Sequence, residues 1–386
     1  MTAPAVAAAT AVLGAPAVPA PDPAGARVVR AGPGDAGALA GFYRQTWDPA
    51  ATAERVRVAR RKAAAANTVA PGEEVPTFLF ISEGRVLGHL TTLPLRLWDG
   101  RAAHPAYWLK GLMVLPEARN GPVGFLLLRE AVRQLPLTLA MAVAPEARRL
   151  FGALGFADLG ALPDHVRVLE PARVLRALGQ GGAEPPAAAR MLPRALLGAA
   201  ARVGVGAWSA LADSPRLHRG WVLPELPAGE VHRLWVRARA GVRAAPARDA
   251  ADLEARYGAG GYRWIGVRES GGLAALGVLR PPSPGGDPRL GGIAMATLSD
   301  LLVPPGRPDA ARALLATAEL AARGLGADAL LCSASHRSLA GPLRRRGYLS
   351  TGARVHALLR APGLDLPGDA GDWWLTRGDG LADEGV

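Results

Sequence analysis

A chain of 386 residues has room for two or three domains, and with 49% apolar and 20% charged residues most of it is expected to fold. Gly (48) and Pro (34) are abundant, but there is no collagen period, no heptad run and no uninterrupted apolar span of roughly 20 residues. That excludes fibres and multi-pass membrane proteins. The formal charge of +12 invites a nucleic-acid surface, yet Lys62 and Lys110 are the only lysines and the arginines are scattered. An excess of Arg together with Ala, Gly and Pro is what a GC-rich coding sequence produces. The charge therefore favours an anionic small ligand over nucleic acid. Cys332 is the lone cysteine, so no intramolecular disulfide and no cysteine metal cluster form. The histidines lack metal-ligand spacing, and no metal is expected. Residues 1–26 carry no Lys or Arg and alternate Ala with Pro. They read as a disordered tail rather than a signal peptide, and a cytoplasmic location follows as the expectation.

Ordered structure is expected from Arg27. Residues 28–30 form a short strand, Gly32-Pro33-Gly34 a turn, and Asp35 caps a helix over 35–47 with Leu39, Phe42, Tyr43 and Trp47 at helical spacing. A second helix covers 53–66. Strands over 77–81 and 86–93 flank a hairpin turn at Ser82-Glu83-Gly84-Arg85. A strand over 107–114 leads through a Gly/Pro loop to a helix over 123–134. A strand follows over 137–143, then a short helix opened by Pro145, then a strand after Gly155-Phe156. Residues 171–244 read as a helical connector between domains, with an apolar face over 192–211. From Ala245 the pattern restarts: helix 249–257, strands 264–268, 273–279 and 295–303, helix 308–324, strand 329–333 and a helix near 338–346.

The restart is an internal repeat. LTLAMAVAPEARRLFGALGF (137–156) aligns with ALLCSASHRSLAGPLRRRGY (329–348) without a gap, and Val114-Leu115-Pro116 matches Leu302-Val303-Pro304. The expected organisation is a tail (1–26), a first domain (27–170), the connector (171–244), a second domain (245–360) and a C-terminal tail (361–386). In that last tail Trp373 and Trp374 dock onto the body.

The most informative stretch is LMVLPEARNGPVGFLLLRE, residues 112–130. An apolar strand runs into Pro116, a turn with Arg119 and two glycines, then an apolar helix. Backbone N–H groups of such a loop, with the helix N-terminus behind them, make an anion cradle. Val114, Pro116, Arg119 and Gly124 fit the acetyl-CoA pattern of the GNAT superfamily of N-acetyltransferases. ARRLFGALGF (147–156) resembles that family's closing motif. The whole chain is similar to tandem members, with the second copy matching more weakly. The resemblance implies a mixed α/β (α+β) fold of two tandem GNAT-like domains, each a mostly antiparallel twisted sheet flanked by helices.

The resemblance also implies roles. The backbone of Leu112, Met113 and Val114 pairs with the pantetheine arm of acetyl-CoA. N–H groups of Arg119, Asn120, Gly121, Val123 and Gly124 hold its pyrophosphate. Three positions depart from the family pattern: Pro122 for a loop glycine, Phe151 for a tyrosine that protonates the leaving thiolate, and Ala144 for an asparagine. Tyr107-Trp108-Leu109-Lys110-Gly111 lacks the family's glutamate base. Candidate catalytic groups are His89, His104, Tyr107 and Glu117, with Lys110 as a neutralising charge. Tyr43 and Trp47 border the acceptor groove. Each has a plainer reading: His89 as a buried structural histidine, Tyr107, Tyr43 and Trp47 as packing, Lys110 as a solvated charge. In the second copy Pro304, Pro305 and Pro308 remove donors from the corresponding loop, so that unit is expected to be non-catalytic, with Asp300 and His336 as possible groove residues.

The leading expectation is a transferase that moves acetyl from acetyl-CoA to a primary amine of a small molecule. The alternatives are a degenerate tandem GNAT protein that binds a ligand or partner without catalysis, and an aminoacyl-tRNA-dependent transferase.

Overall fold

The computed structural model describes residues 25–180, 220–258, 260–283 and 292–380. The apolar stretch 192–211 and most of the tail 1–26 lie outside the described residues. Among the described residues two compact units emerge: residues 25–160 with 356–368, and the described residues of 161–355 with 369–380. Both are mixed α/β with mostly antiparallel sheets.

In the first unit the sheet runs β1 (Arg27–Arg30), β2 (Thr77–Ser82), β3 (Arg85–Trp98), β4 (Ala103–Val114), β5 (Thr138–Met141). All neighbours are antiparallel except the β4–β5 pair. Helices α1 (Ala36–Thr46), α2 (Ala53–Ala65), α3 (Val123–Gln134) and α4 (Pro145–Ala153) complete it. Asp35 stands at the N-cap of α1, as expected, but its side chain makes no capping bond to the helix. It lies in a 3-10 turn and its carboxylate accepts from the Gly32 N–H at 2.7 Å. Thr52 caps α2 through Arg55 N–H. The β2–β3 turn has Glu83 and Gly84 at φ 50° and 74°, the twist that two-residue hairpins require. Strand β3 continues past the expected end at 93. Strand β2 stops opposite Thr91, so Pro94, whose missing N–H lies beyond it, interrupts no β2 bond. Helix α3 buries Val123, Leu127, Leu128, Ala131 and Val132, the i, i+4, i+5 stripe of an amphipathic helix. It approaches the sheet closely because Gly88 has no side chain: a Cβ there would meet Val123 Cγ1 at 2.5 Å.

The strand that follows α4, β6 (Ala157–Val168), pairs antiparallel with β12 (Ala329–Ser333) of the second unit's sheet. Conversely β5 is flanked by residues 357–360 of β13 (Leu349–Arg360), the strand that ends the second repeat. Each sheet is thus completed by the last strand of the other repeat.

The second unit's sheet places β6 beside β12, β11 (Met295–Leu302), β10 (Gly272–Arg280), β9 (Arg263–Glu269) and β7 (Gly220–Leu223). The span 171–244, expected to be a helical connector, holds β7 among its described residues as well as helices α5 (Pro171–Gln180) and α6 (Ala228–Arg239). The two-residue β8 (Ala245–Pro246), α7 (Ala250–Tyr257), α8 (Pro308–Gly324) and α9 (Ala340–Arg345) complete this unit. Trp373 and Trp374 are buried in it.

Candidate functional site

Strands β4 and β5 run side by side only briefly. Tyr107 pairs with Thr138 and Trp108 with Leu139; from Leu109 onward β4 has β3 on one side and no β5 partner on the other. On its other edge β5 is paired along its whole length with residues 357–360. It ends at Met141, and Ala142, with a φ of 55°, turns the chain away. A bulge lies on the parted stretch of β4. His89 pairs with Met113 and Thr91 with Lys110, so Gly111 and Leu112 together face Leu90. Gly111 takes φ 62°, a backbone state that glycine adopts without strain. Leu112 in the bulge and Met113 and Val114 beyond it are half-buried, and β5 does not pair with them on that edge.

The chain then turns through a 3-10 helix, Pro116–Ala118, into α3. Inside the turn the Arg119 N–H bonds to Pro116 O and the Gly121 N–H to Ala118 O at 3.1 Å. Asn120 is exposed on the turn. The first helical bond of α3 runs from Leu126 N–H to Pro122 O. The N–H groups of Val123, Gly124 and Phe125 precede it and have no acceptor within the helix. The first turn carries no acidic side chain. The Arg119 guanidinium folds back onto Val114 O at 3.1 Å, setting a positive charge where β4 enters the loop. A free strand edge thus leads into an open, uncompensated helix N-terminus. These residues fit a ligand with an extended amide chain and a diphosphate, which is the chemistry of coenzyme A.

His89 sits behind the bulge and is 2% exposed. Its Nδ1 lies 3.1 Å from Gly111 O and its Nε2 3.2 Å from the Tyr43 hydroxyl. A carbonyl only accepts, so Nδ1 carries the proton and Nε2 accepts from Tyr43. Burial holds the imidazole pKa down to about 4 and pushes the Tyr43 phenol up to about 12. Both are neutral over the physiological range. Tyr43 stacks on Trp47 at 4.3 Å, and Phe42 lies 5.9 Å from the imidazole. His89, Tyr43 and Trp47 therefore form one aromatic cluster against the bulge.

The other candidates lie apart from this cluster. Glu117 is exposed and paired with Arg85 at 3.4 Å. His104 is paired with Asp99 at 2.7 Å beside the β3–β4 turn. Tyr107 is half-buried where β4 and β5 begin to pair, and burial raises its pKa. Phe151 is 4% exposed, packed edge-to-face on Phe156 at 4.9 Å. In the second unit Asp300 is buried and ion-paired with Arg248 at 2.8 Å, and His336 caps a 3-10 turn by accepting from Ser338 N–H. Sequence reading missed the bulge residue Gly111 and the close-approach residue Gly88. A glycine inside an apolar strand was the available signal for both.

No family model matches the chain, and no curated protein matches it. Solved structures do. A GCN5-related N-acetyltransferase from Kribbella flavida aligns over 87% of this chain and 70% of its own, at 16% identity and TM-score 0.54. One from Anabaena variabilis aligns over 87% and 72%, at 12% and 0.53. The N-myristoyltransferase of Saccharomyces cerevisiae with bound myristoyl-CoA aligns over 88% and 80%, at 12% and 0.53. At these identities the likeness establishes the fold, which is that of the GNAT superfamily across most of the chain.

Proposed function

We propose that this GNAT-fold chain is an acyltransferase that takes an acetyl group from acetyl-CoA in its first unit and passes it to a primary amine of a small molecule. One observation carries the reading: the edge of β4 freed beyond Trp108 runs straight into the open first turn of α3. Leu112, Met113 and Val114 would line the pantetheine arm. Val123, Gly124 and Phe125 offer backbone donors to the pyrophosphate, with Asn120 and the Arg119 charge beside them. Bound acetyl-CoA supplies a thioester carbonyl open to attack by an amine.

The chain's own groups limit how the proton leaves. Both nitrogens of His89 are engaged and its pKa lies near 4, so it is a poor proton acceptor at neutral pH. It acts instead as a positioning residue, holding Gly111 and hence the bulge. Water is then the acceptor of the amine proton, and Phe151 leaves the thiolate to be protonated by water as well. The placement of Phe151 in the core gives a specific reason to keep a second reading, a CoA-binding protein without transfer activity.

Calorimetric titration with acetyl-CoA tests the proposal. Gly124→Glu adds a like charge against the pyrophosphate, and affinity is expected to fall well over tenfold, a loss above about 1.4 kcal/mol. Unchanged affinity in a folded Gly124→Glu protein refutes the assignment. Binding without acetyl transfer to any of a panel of amines selects the second reading.

A further inference from the structure

The second unit repeats the slot geometry of the first. Strand β11 pairs in parallel with β12 from Met295 to Leu298 and then parts from it. On its other side β11 stays paired with β10, with a register shift between Val278 and Leu279 that leaves Ser299 unpaired. Aligning Val114 with Leu302 sets this irregularity beside the Gly111–Leu112 bulge. Residues 299–302 therefore correspond to the cofactor edge of β4.

Here that edge is filled by the chain itself. The Gly378 N–H donates to Ser299 O at 2.8 Å, and the Trp374 indole N–H donates to Leu301 O at 2.7 Å. On the β12 side Arg377 N–H donates to Ser333 O at 3.1 Å and Ser335 N–H to Leu375 O at 2.9 Å. Residues 375–378 thus bridge the two parted strands, β11 accepting from the Gly378 N–H and from the indole of the preceding Trp374. The fit is close: a Cβ on Gly378 would lie 2.4 Å from the Tyr257 hydroxyl and 2.8 Å from Ser299 O. Asp379 anchors the end. Its carboxylate accepts from Arg248 Nη2 at 2.7 Å, Arg256 Nη1 at 2.5 Å and Thr376 N–H at 2.7 Å. Asp300, on the β11 edge, binds the same two arginines and the Tyr257 hydroxyl. The far end of the slot is equally unsuited to a diphosphate. Pro308 opens α8 without an N–H, and the Asp309 carboxylate, held by Arg307 at 2.7 Å, sets negative charge at that helix start.

We propose that residues 375–378 are a built-in occupant of the second unit's cofactor slot, a peptide segment in the place of a pantetheine arm, locked by the Arg248–Asp379–Arg256–Asp300 cluster. The assignment rests on the GNAT reading of the repeat. The second unit then binds no CoA, and the segment holds β11 and β12 in their parted geometry.

Hydrogen exchange on the full chain, with and without saturating acetyl-CoA, tests this. The amides of Leu375 to Asp379 are expected to exchange about a thousandfold or more slowly than in an unstructured chain, and acetyl-CoA leaves them unchanged. Fast exchange in the free protein overturns the proposal whether or not acetyl-CoA binds anywhere, so its failure is separable from that of the proposed function. Loss of protection on adding acetyl-CoA overturns it too, since the slot would then be a gated cofactor site. Gly378→Val is expected to abolish the protection. Should that variant not fold, Asp379→Asn is expected to reduce protection of the same amides at least tenfold, and full protection in Asp379→Asn removes the cluster from its anchoring role.

Discussion

His89 ties local chemistry to stability. Its pKa falls from about 6.5 in an unfolded chain to about 4 in the fold because burial penalises the imidazolium. Between those values the unfolded chain binds a proton that the native protein refuses. Stability is therefore undiminished above pH 6.5 and falls as the pH drops toward 4, by about 3 kcal/mol over that window. Denaturant unfolding from pH 7 to 4 measures the slope, and His89→Gln, which does not titrate, is expected to flatten it by that amount. Phe151 makes the opposite kind of test. A hydroxyl added to its ring enters the core beside Phe156, so Phe151→Tyr is expected to lose about 1–3 kcal/mol and gain no turnover. A rise in acetyl transfer would place the ring's edge at the reacting thioester instead.

Among the elements, α3 and β3 set the loop through one small residue. The Gly88 backbone lies under Val123 and Leu127, where a Cβ would come within 2.9 Å of both side chains. Valine is stiff at χ1, so the start of α3 must move rather than the side chain alone. Gly88→Ala is expected to cost about 1–3 kcal/mol in thermal unfolding. It should also weaken acetyl-CoA binding, because Val123 opens the helix whose first turn supplies the donors. A Gly88→Ala protein that binds normally would dissociate the α3 packing from the loop.

For the whole molecule, the exchange of final strands decides what can be cut. A fragment of residues 27–170 contains the first repeat but lacks residues 357–360, whose Ala357, Leu358 and Leu359 are buried beside β5. Each buried leucine contributes roughly 1.5–3 kcal/mol, a large share of a domain's net stability. The fragment is expected to be poorly soluble, with its β5 edge exposed. A peptide of residues 356–368 is expected to raise its melting temperature. A fragment as stable as the full chain would make the exchanged strand dispensable.

Much of this was open to reading in the sequence because it is local. Helix α3 has its bounds in the apolar stripe and in Pro122. Helix α8 shows in its proline start, the hairpin in Glu83-Gly84, and the repeat in gapless self-similarity. The anion-cradle reading came from the same kind of short-range pattern, strand then glycine turn then helix. Tertiary structure alone decided three things. Gly155-Phe156 marks the entry to β6, and its repeat counterpart Gly347-Tyr348 the entry to β13, but the pairing partners lie far away along the chain, so nothing local shows that the two repeats exchange them. His89 was a histidine of open role until burial, Tyr43 and Gly111 together fixed its tautomer and neutral state. The sequence near Asp379 shows an acid, two tryptophans and a glycine. Only the parting of β11 from β12, which leaves backbone carbonyls in need of donors, makes that segment the occupant of a slot.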